Sequence, residues 1–169
     1  MIIWLASYPK SGNTLLRSIL GTYFFSEDGS FDFQHTYKIG QFPRLDYFKR
    51  IGVDISDNQE ILKNYIEAQN SFNQENKTVK FFKTHSVFFD YKNKNIKFSN
   101  FANTLGAIYI VRDPRNVVTS FARHMNLSID EATSQICNND LFTPRTDIHP
   151  EIFMSSWNIN YISWQGLGK

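Results

Sequence analysis

Ser7-Tyr8-Pro9-Lys10-Ser11-Gly12-Asn13-Thr14-Leu15 follows the apolar run Ile2 to Ala6 and leads into an amphipathic stretch, so it reads as a strand-to-helix turn. A helix that begins there leaves its first backbone N–H groups unpaired. The aligned peptide dipoles put partial positive charge at the same place, and the two effects together favour an anion. Lys10 adds a full charge and Gly12 lets backbone approach closely. The spacing departs from the common nucleotide triphosphate loop, where the lysine follows the last glycine and precedes Ser or Thr. Here Lys10 precedes Gly12, which suggests a phosphate-bearing ligand other than ordinary ATP.

Outward from this turn, Ile2 to Ser7 reads as a buried strand. Thr14 to Phe25 reads as a helix with Leu15, Leu16, Ile19, Leu20 and Tyr23 on one face at the three- and four-residue spacing. Ser26 to Ile51 looks irregular, its Phe and Tyr residues either walling an acceptor pocket or, the simpler reading, pinning a loop to the core. Ser56 and Gln59 form a capping-box pattern that predicts a helix over 57–73. Thr78 to Thr84 is rich in β-branched and aromatic residues and predicts a strand ending in Lys83-Thr84-His85. Leu105 to Val111 is a third apolar run. Asp113 then caps a helix opened by Pro114 and expected to reach about His124. Ser128 with Glu131 marks a further capping box, and Pro150 is expected to open a last helix carrying Ile152, Phe153, Trp157, Tyr161, Ile162 and Trp164. Trp157 and Trp164 read as core.

Strands alternating with helices imply an α/β fold, a mainly parallel sheet flanked by helices, with sites beyond the carboxyl ends of the strands. The three informative segments all lie at such ends. Without repeats or low-complexity linkers, 1–169 reads as one domain. Charged residues make up 20% of the chain, and no apolar stretch approaches the ~20 residues needed to span a bilayer. The formal charge of +2 gives no basic face of the kind that captures nucleic acid. Cys137 stands alone, so no internal disulfide forms, and there is no Cys/His cluster for structural zinc. The apolar start lacks the basic region and length of a secretory signal. These features predict a cytoplasmic protein.

The segment Tyr8-Pro9-Lys10-Ser11-Gly12 followed by Asn13-Thr14 resembles the 5′-phosphosulfate loop of the sulfotransferase family, whose pattern is Tyr-Pro-Lys-Ser-Gly-Thr-Thr. Ile110 to Ser120 resembles the same family's second cofactor motif, with Arg112 and Ser120 at the spacing that holds a 3′-phosphate. Lys83-Thr84-His85 is similar to the Lys-Thr-His at the catalytic strand end of cytosolic sulfotransferases. The resemblance implies a P-loop-like three-layer sandwich and 3′-phosphoadenosine 5′-phosphosulfate (PAPS) as sulfuryl donor. The acceptor would be a hydroxyl or amine on a small molecule, lipid or sugar. His85 is implied as general base, with Lys10 and Lys83 meeting the charge that grows on the leaving oxygen. Lys10, Ser11, Gly12, Asn13, Thr14 and Leu15 would hold the 5′-phosphate, Arg112 and Ser120 the 3′-phosphate. No metal is demanded.

Guanidinium bonds paired to phosphate, and an imidazole that is neutral near physiological pH, agree physically with these roles. Two positions depart from the family: Leu15 stands where an aromatic often stacks on adenine, and Asn13 replaces a threonine. The family also normally continues through another strand and a Gly/Lys/Arg-rich clamp, for which Gly166-Leu167-Gly168-Lys169 is too short. Two readings follow, a fragment of an active enzyme or a naturally short protein that binds the nucleotide poorly, and the first is preferred: the chain is expected to lack the C-terminal part of its domain. The competing readings are a P-loop kinase or ATPase, and a degenerate nucleotide-binding module.

Overall fold

The computed structural model of the protein describes residues 1–75, 78–91 and 96–167. Its centre is β1 (Ile2–Ser7), which pairs in parallel with β3 (Lys80–Thr84) on one side and β6 (Thr104–Ile110) on the other. The short β2 (Gly40–Gln41) extends β3 in parallel, giving the order β2-β3-β1-β6. An uninterrupted apolar run suits β1 because a central strand of a parallel sheet is covered on both faces. The fold is the α/β arrangement expected, a four-stranded parallel sheet flanked by helices.

Side chains alternate across the sheet, so Ile2, Trp4 and Ala6 share one face. There they join Phe42, Phe82, Phe98 and Trp164 in the main core. The Trp4 ring lies 4.9 Å from Phe98 and 5.6 Å from Phe42, and its Nε1–H donates to Thr104 Oγ1 at 3.0 Å, so burying the indole strands no donor. This face is covered by α3 (Leu45–Arg50), α4 (Asn58–Lys63), α5 (Tyr65–Glu75) and α8 (Trp157–Gln165). On the other face Phe24, from α1 (Asn13–Phe25), meets Phe81 at 5.2 Å. A second cluster joins Tyr8 to α6 (Pro114–Met125) and α7 (Ile129–Ile136).

The capping signals of α6 and α7 behave as expected: Asp113 accepts from the Arg115 N–H, Pro114 is the first residue, and Ser128 and Glu131 form a reciprocal capping box. Elsewhere the structure corrects the reading. The apolar face of α1 is largely turned outward: Leu15 is 67%, Ile19 57% and Tyr23 78% accessible, with Leu16 and Leu20 half-buried. The inward stripe instead carries Asn13, Arg17 and Gly21 at four-residue spacing. Gly21 is required because a Cβ there would lie 2.7 Å from the carbonyl oxygen of His35 in α2 (Phe33–Tyr37). The outward stripe, with Phe31, lines a groove of about 790 Å³.

The segment 26–51 is not irregular; it holds α2, β2 and α3, with Phe42 and Phe48 fully buried. The single helix over 57–73 is two. Asn64 ends α4, its Nδ2 donating back to Glu60 O at 2.8 Å. The N-cap is Asp57 rather than Ser56, because Ser56 is taken up by a tight turn on Asp54. A hairpin of β4 (Asp90–Tyr91) and β5 (Ile96–Lys97) precedes β6. Pro150 opens no helix. Ile152 and Phe153 form β8, paired antiparallel with β7 (Phe142–Thr143), and α8 starts after Ser156. Stacking of Phe142 on Phe153 at 4.8 Å holds that ladder, which outweighs the local proline signal.

Candidate functional site

The loop after β1 is folded by two residues with left-handed backbone, Lys10 at φ 67° and Gly12 at φ 106°. Gly12 caps α1 without a side-chain hydrogen bond, which leaves the first N–H groups of the helix without intrahelical partners. Asn13 pins the loop to the strand beneath it: its Nδ2 donates to Leu5 O at 2.9 Å and to Ser7 Oγ at 3.1 Å. The amide nitrogen is thus committed to the strand, while Oδ1 is buried without a partner. Ser11 Oγ is buried and without a partner. A buried orphan hydroxyl under a cradle of free N–H groups is a polar group still owed a hydrogen bond.

One cleft of about 640 Å³ brings Lys10, Gly12, Asn13 and Thr14 together with Lys83, His85, Arg112 and Ser120. Two of the residues assigned to the site from sequence do not line it. Ser11 is buried within the loop, and the Leu15 side chain lies in the outer groove of α1. Arg112 reaches across from beyond the end of β6 and donates from Nη1 to Lys10 O at 3.0 Å, so the segment after β6 is tied to the loop after β1. Arg115 instead pairs with Asp113 at the surface.

His85 follows β3 and its Nδ1 lies 2.7 Å from Ser7 O, with Ser7 Oγ at 3.3 Å. A carbonyl only accepts, so Nδ1 carries the hydrogen and the lone pair of the neutral ring sits on Nε2. Burial, with Lys83, Arg17 and Lys10 nearby, holds the imidazole far below its ordinary value, at about 3, against the pull of the Ser7 carbonyl. Lys83 donates to Gln41 Oε1 at 3.1 Å, and burial followed by the Arg17 charge brings its ammonium down to about 8. Among the described residues, the side chains lining the cleft include no carboxylate. Among the described residues no group of three or more His, Cys, Asp or Glu is placed to hold a metal ion.

Three contributors were missed in the sequence. Arg17, which carries no motif, lines the cleft; its four-residue spacing from Asn13 is the one local sign of a shared inward face. The segment Leu141 to Pro144, with Met154, forms another wall. Asn160, hidden in an aromatic helix, is fully buried; its Nδ2 donates to His85 O at 3.0 Å and Met154 O at 2.8 Å, while Tyr109 donates to its Oδ1 at 2.9 Å. It fixes the backbone that carries the imidazole. Of the histidines assigned no role, His124 lines the cleft, and His149 Nδ1 donates to Pro43 O at 2.8 Å.

The family model described as Sulfotransferase domain matches residues 2–164 of the chain. No curated protein matches it. Among the described residues no helix is long and apolar enough to cross a membrane.

Proposed function

The chain belongs to the sulfotransferase domain family, whose chemistry is sulfuryl transfer, and we propose that it moves a sulfuryl group from PAPS to a hydroxyl or amine of a small-molecule, lipid or sugar acceptor. What supports this reading is one arrangement: two cationic ends, at Lys10 and at Arg112 with Ser120, facing one carboxylate-free cleft beside an imidazole of fixed tautomer. The N–H groups at the start of α1, with the Thr14 hydroxyl, take the 5′-phosphate, and Arg112 and Ser120 take the 3′-phosphate.

His85 Nε2 accepts the proton of the acceptor group as its oxygen or nitrogen bonds to sulfur. The bond from sulfur to the 5′-phosphate oxygen breaks in the same displacement, and adenosine 3′,5′-bisphosphate leaves. Lys10 and Lys83 meet the charge that grows on the departing oxygen, in a site where donors already aimed at developing charge contribute most. Burial is the largest cause of the value of about 3, and Lys83, Arg17 and Lys10 add to it. An anionic donor offsets the part due to those cations, which moves His85 upward toward its working range. The scheme needs no metal. Exposed Cys137 as the lone cysteine fits a cytoplasmic setting.

Thermal-shift titration tests the reading. Adenosine 3′,5′-bisphosphate without metal should stabilise the chain more than ATP with magnesium. Preference for ATP with magnesium would favour a kinase or ATPase, and bisphosphate binding without sulfate transfer a degenerate binding module.

A further inference from the structure

We infer that Arg17 is a binding residue for the sulfuryl group of the donor, forming with Lys83 an anion subsite on the β2 side of the cleft. This rests on the proposed use of PAPS. The strand order β2-β3-β1-β6 sets a line of cations across the strand ends. Arg112 follows β6, Lys10 follows β1, Lys83 ends β3, and Arg17 bonds to the turn that enters β2. If the 3′-phosphate sits at Arg112 and the 5′-phosphate at the Lys10 loop, the group bonded beyond the 5′-phosphate falls on the Lys83 and Arg17 side.

Arg17 is built to stay there. Its Nη2 donates to Thr36 O at 2.9 Å and to Ile39 O at 2.8 Å, which fixes the guanidinium plane. Its Nε–H is buried without a partner, although the side chain lines the cleft. A fixed, buried and unsatisfied cationic donor is costly unless something negative bonds to it. Lys83 lies in the same cleft, and among the described residues no carboxylate lining the cleft compensates either charge. The charge count agrees. Lys10, Arg17, Lys83 and Arg112 supply four positive charges, against about four negative charges on a donor with a phosphate monoester, a bridging phosphate and a sulfuryl group. The totals balance over the whole cleft rather than group by group: with Arg112 placed at the 3′-phosphate and Lys10 at the 5′-phosphate, Arg17 and Lys83 are the cations left on the side of the sulfuryl group.

The test compares two nucleotides that differ only in that group. PAPS and adenosine 3′,5′-bisphosphate are titrated calorimetrically into the wild-type chain, Arg17→Met and Arg17→Lys, with no acceptor present. Arg17→Lys keeps a cation able to bond the Thr36 and Ile39 carbonyls but has no counterpart of Nε–H, so it carries the comparison if Arg17→Met does not fold. The expected result is a loss of PAPS affinity of about tenfold or more in Arg17→Met and a smaller loss in Arg17→Lys, with bisphosphate affinity within about twofold of wild type in both. Equal losses for the two nucleotides, or unchanged PAPS affinity, would overturn the subsite and leave the functional reading standing. A wild-type chain that binds neither nucleotide overturns the functional reading, and the subsite with it.

Discussion

Arg112 Nη1 donates to the carbonyl oxygen of Lys10 at 3.0 Å, so the residue assigned to one end of the donor also holds the loop assigned to the other. Arg112→Ala should therefore do more than remove a phosphate contact. We expect bisphosphate affinity to fall by roughly 10- to 100-fold, the range for charged hydrogen bonds. Ser120→Ala, which removes a neutral donor, should cost about tenfold or less. Thermal shift against ligand concentration reads both, and equal effects of the two changes would contradict the assignment.

His85→Gln should lower sulfate transfer by about 10² to 10⁴, the usual contribution of a positioned base, while bisphosphate affinity changes little. Single-turnover transfer beside equilibrium titration separates the two. Comparable losses in both would make His85 a binding residue.

The same imidazole predicts an acid limb in stability. Its folded value is depressed to about 3 from an ordinary value of about 6.5. Between those values the unfolded chain binds the proton and the folded chain does not. The contribution is thus fully present above about pH 6.5 and is lost as pH falls toward 3. Urea midpoints across that window should decline more steeply for wild type than for His85→Gln. With bisphosphate bound, the imidazole should titrate at a higher pH, which NMR of the ring protons follows.

Lys83, lowered to about 8, predicts an alkaline limb in catalysis. As pH rises through 8 in the unliganded enzyme the ammonium loses its proton, and kcat/KM should fall with it. Lys83→Arg, whose guanidinium stays charged, should flatten that limb whatever it does to the maximum rate. An unaltered limb would assign it to another group.

Asn160→Ala leaves the His85 and Met154 carbonyls and the Tyr109 hydroxyl short of a partner in a fully buried site. A loss of about 2–3 kcal/mol is expected, read by urea unfolding, together with slower transfer. Gly21→Ala should cost about 1–3 kcal/mol by overpacking, since the backbone oxygen it meets in α2 cannot swing away.

What was legible in the sequence was local. β1, its loop, β3, β6 and α6 were each marked by an apolar run or a cap within a few residues, and the three segments at strand ends converge because a parallel sheet aligns those ends. What was not legible depended on neighbours distant in the chain. Periodicity showed that α1 has an apolar stripe but could not show that Asn13, Arg17 and Gly21, on another face, meet the sheet and α2. Arg17 becomes a site residue only where the carbonyls of Thr36 and Ile39 turn its guanidinium into the cleft. Asn64 and the pairing of β7 with β8 broke helices that propensity alone would have continued.

The partner that sets the tautomer of His85 is the main-chain oxygen of Ser7. Every amino acid supplies that oxygen, so exchanging the Ser7 side chain alters packing and the bond from Asn13 without erasing the acceptor that orients the ring. The protonation pattern of the imidazole is inherited from strand alignment, and only a slip between neighbouring strands, or loss of the histidine itself, would erase it.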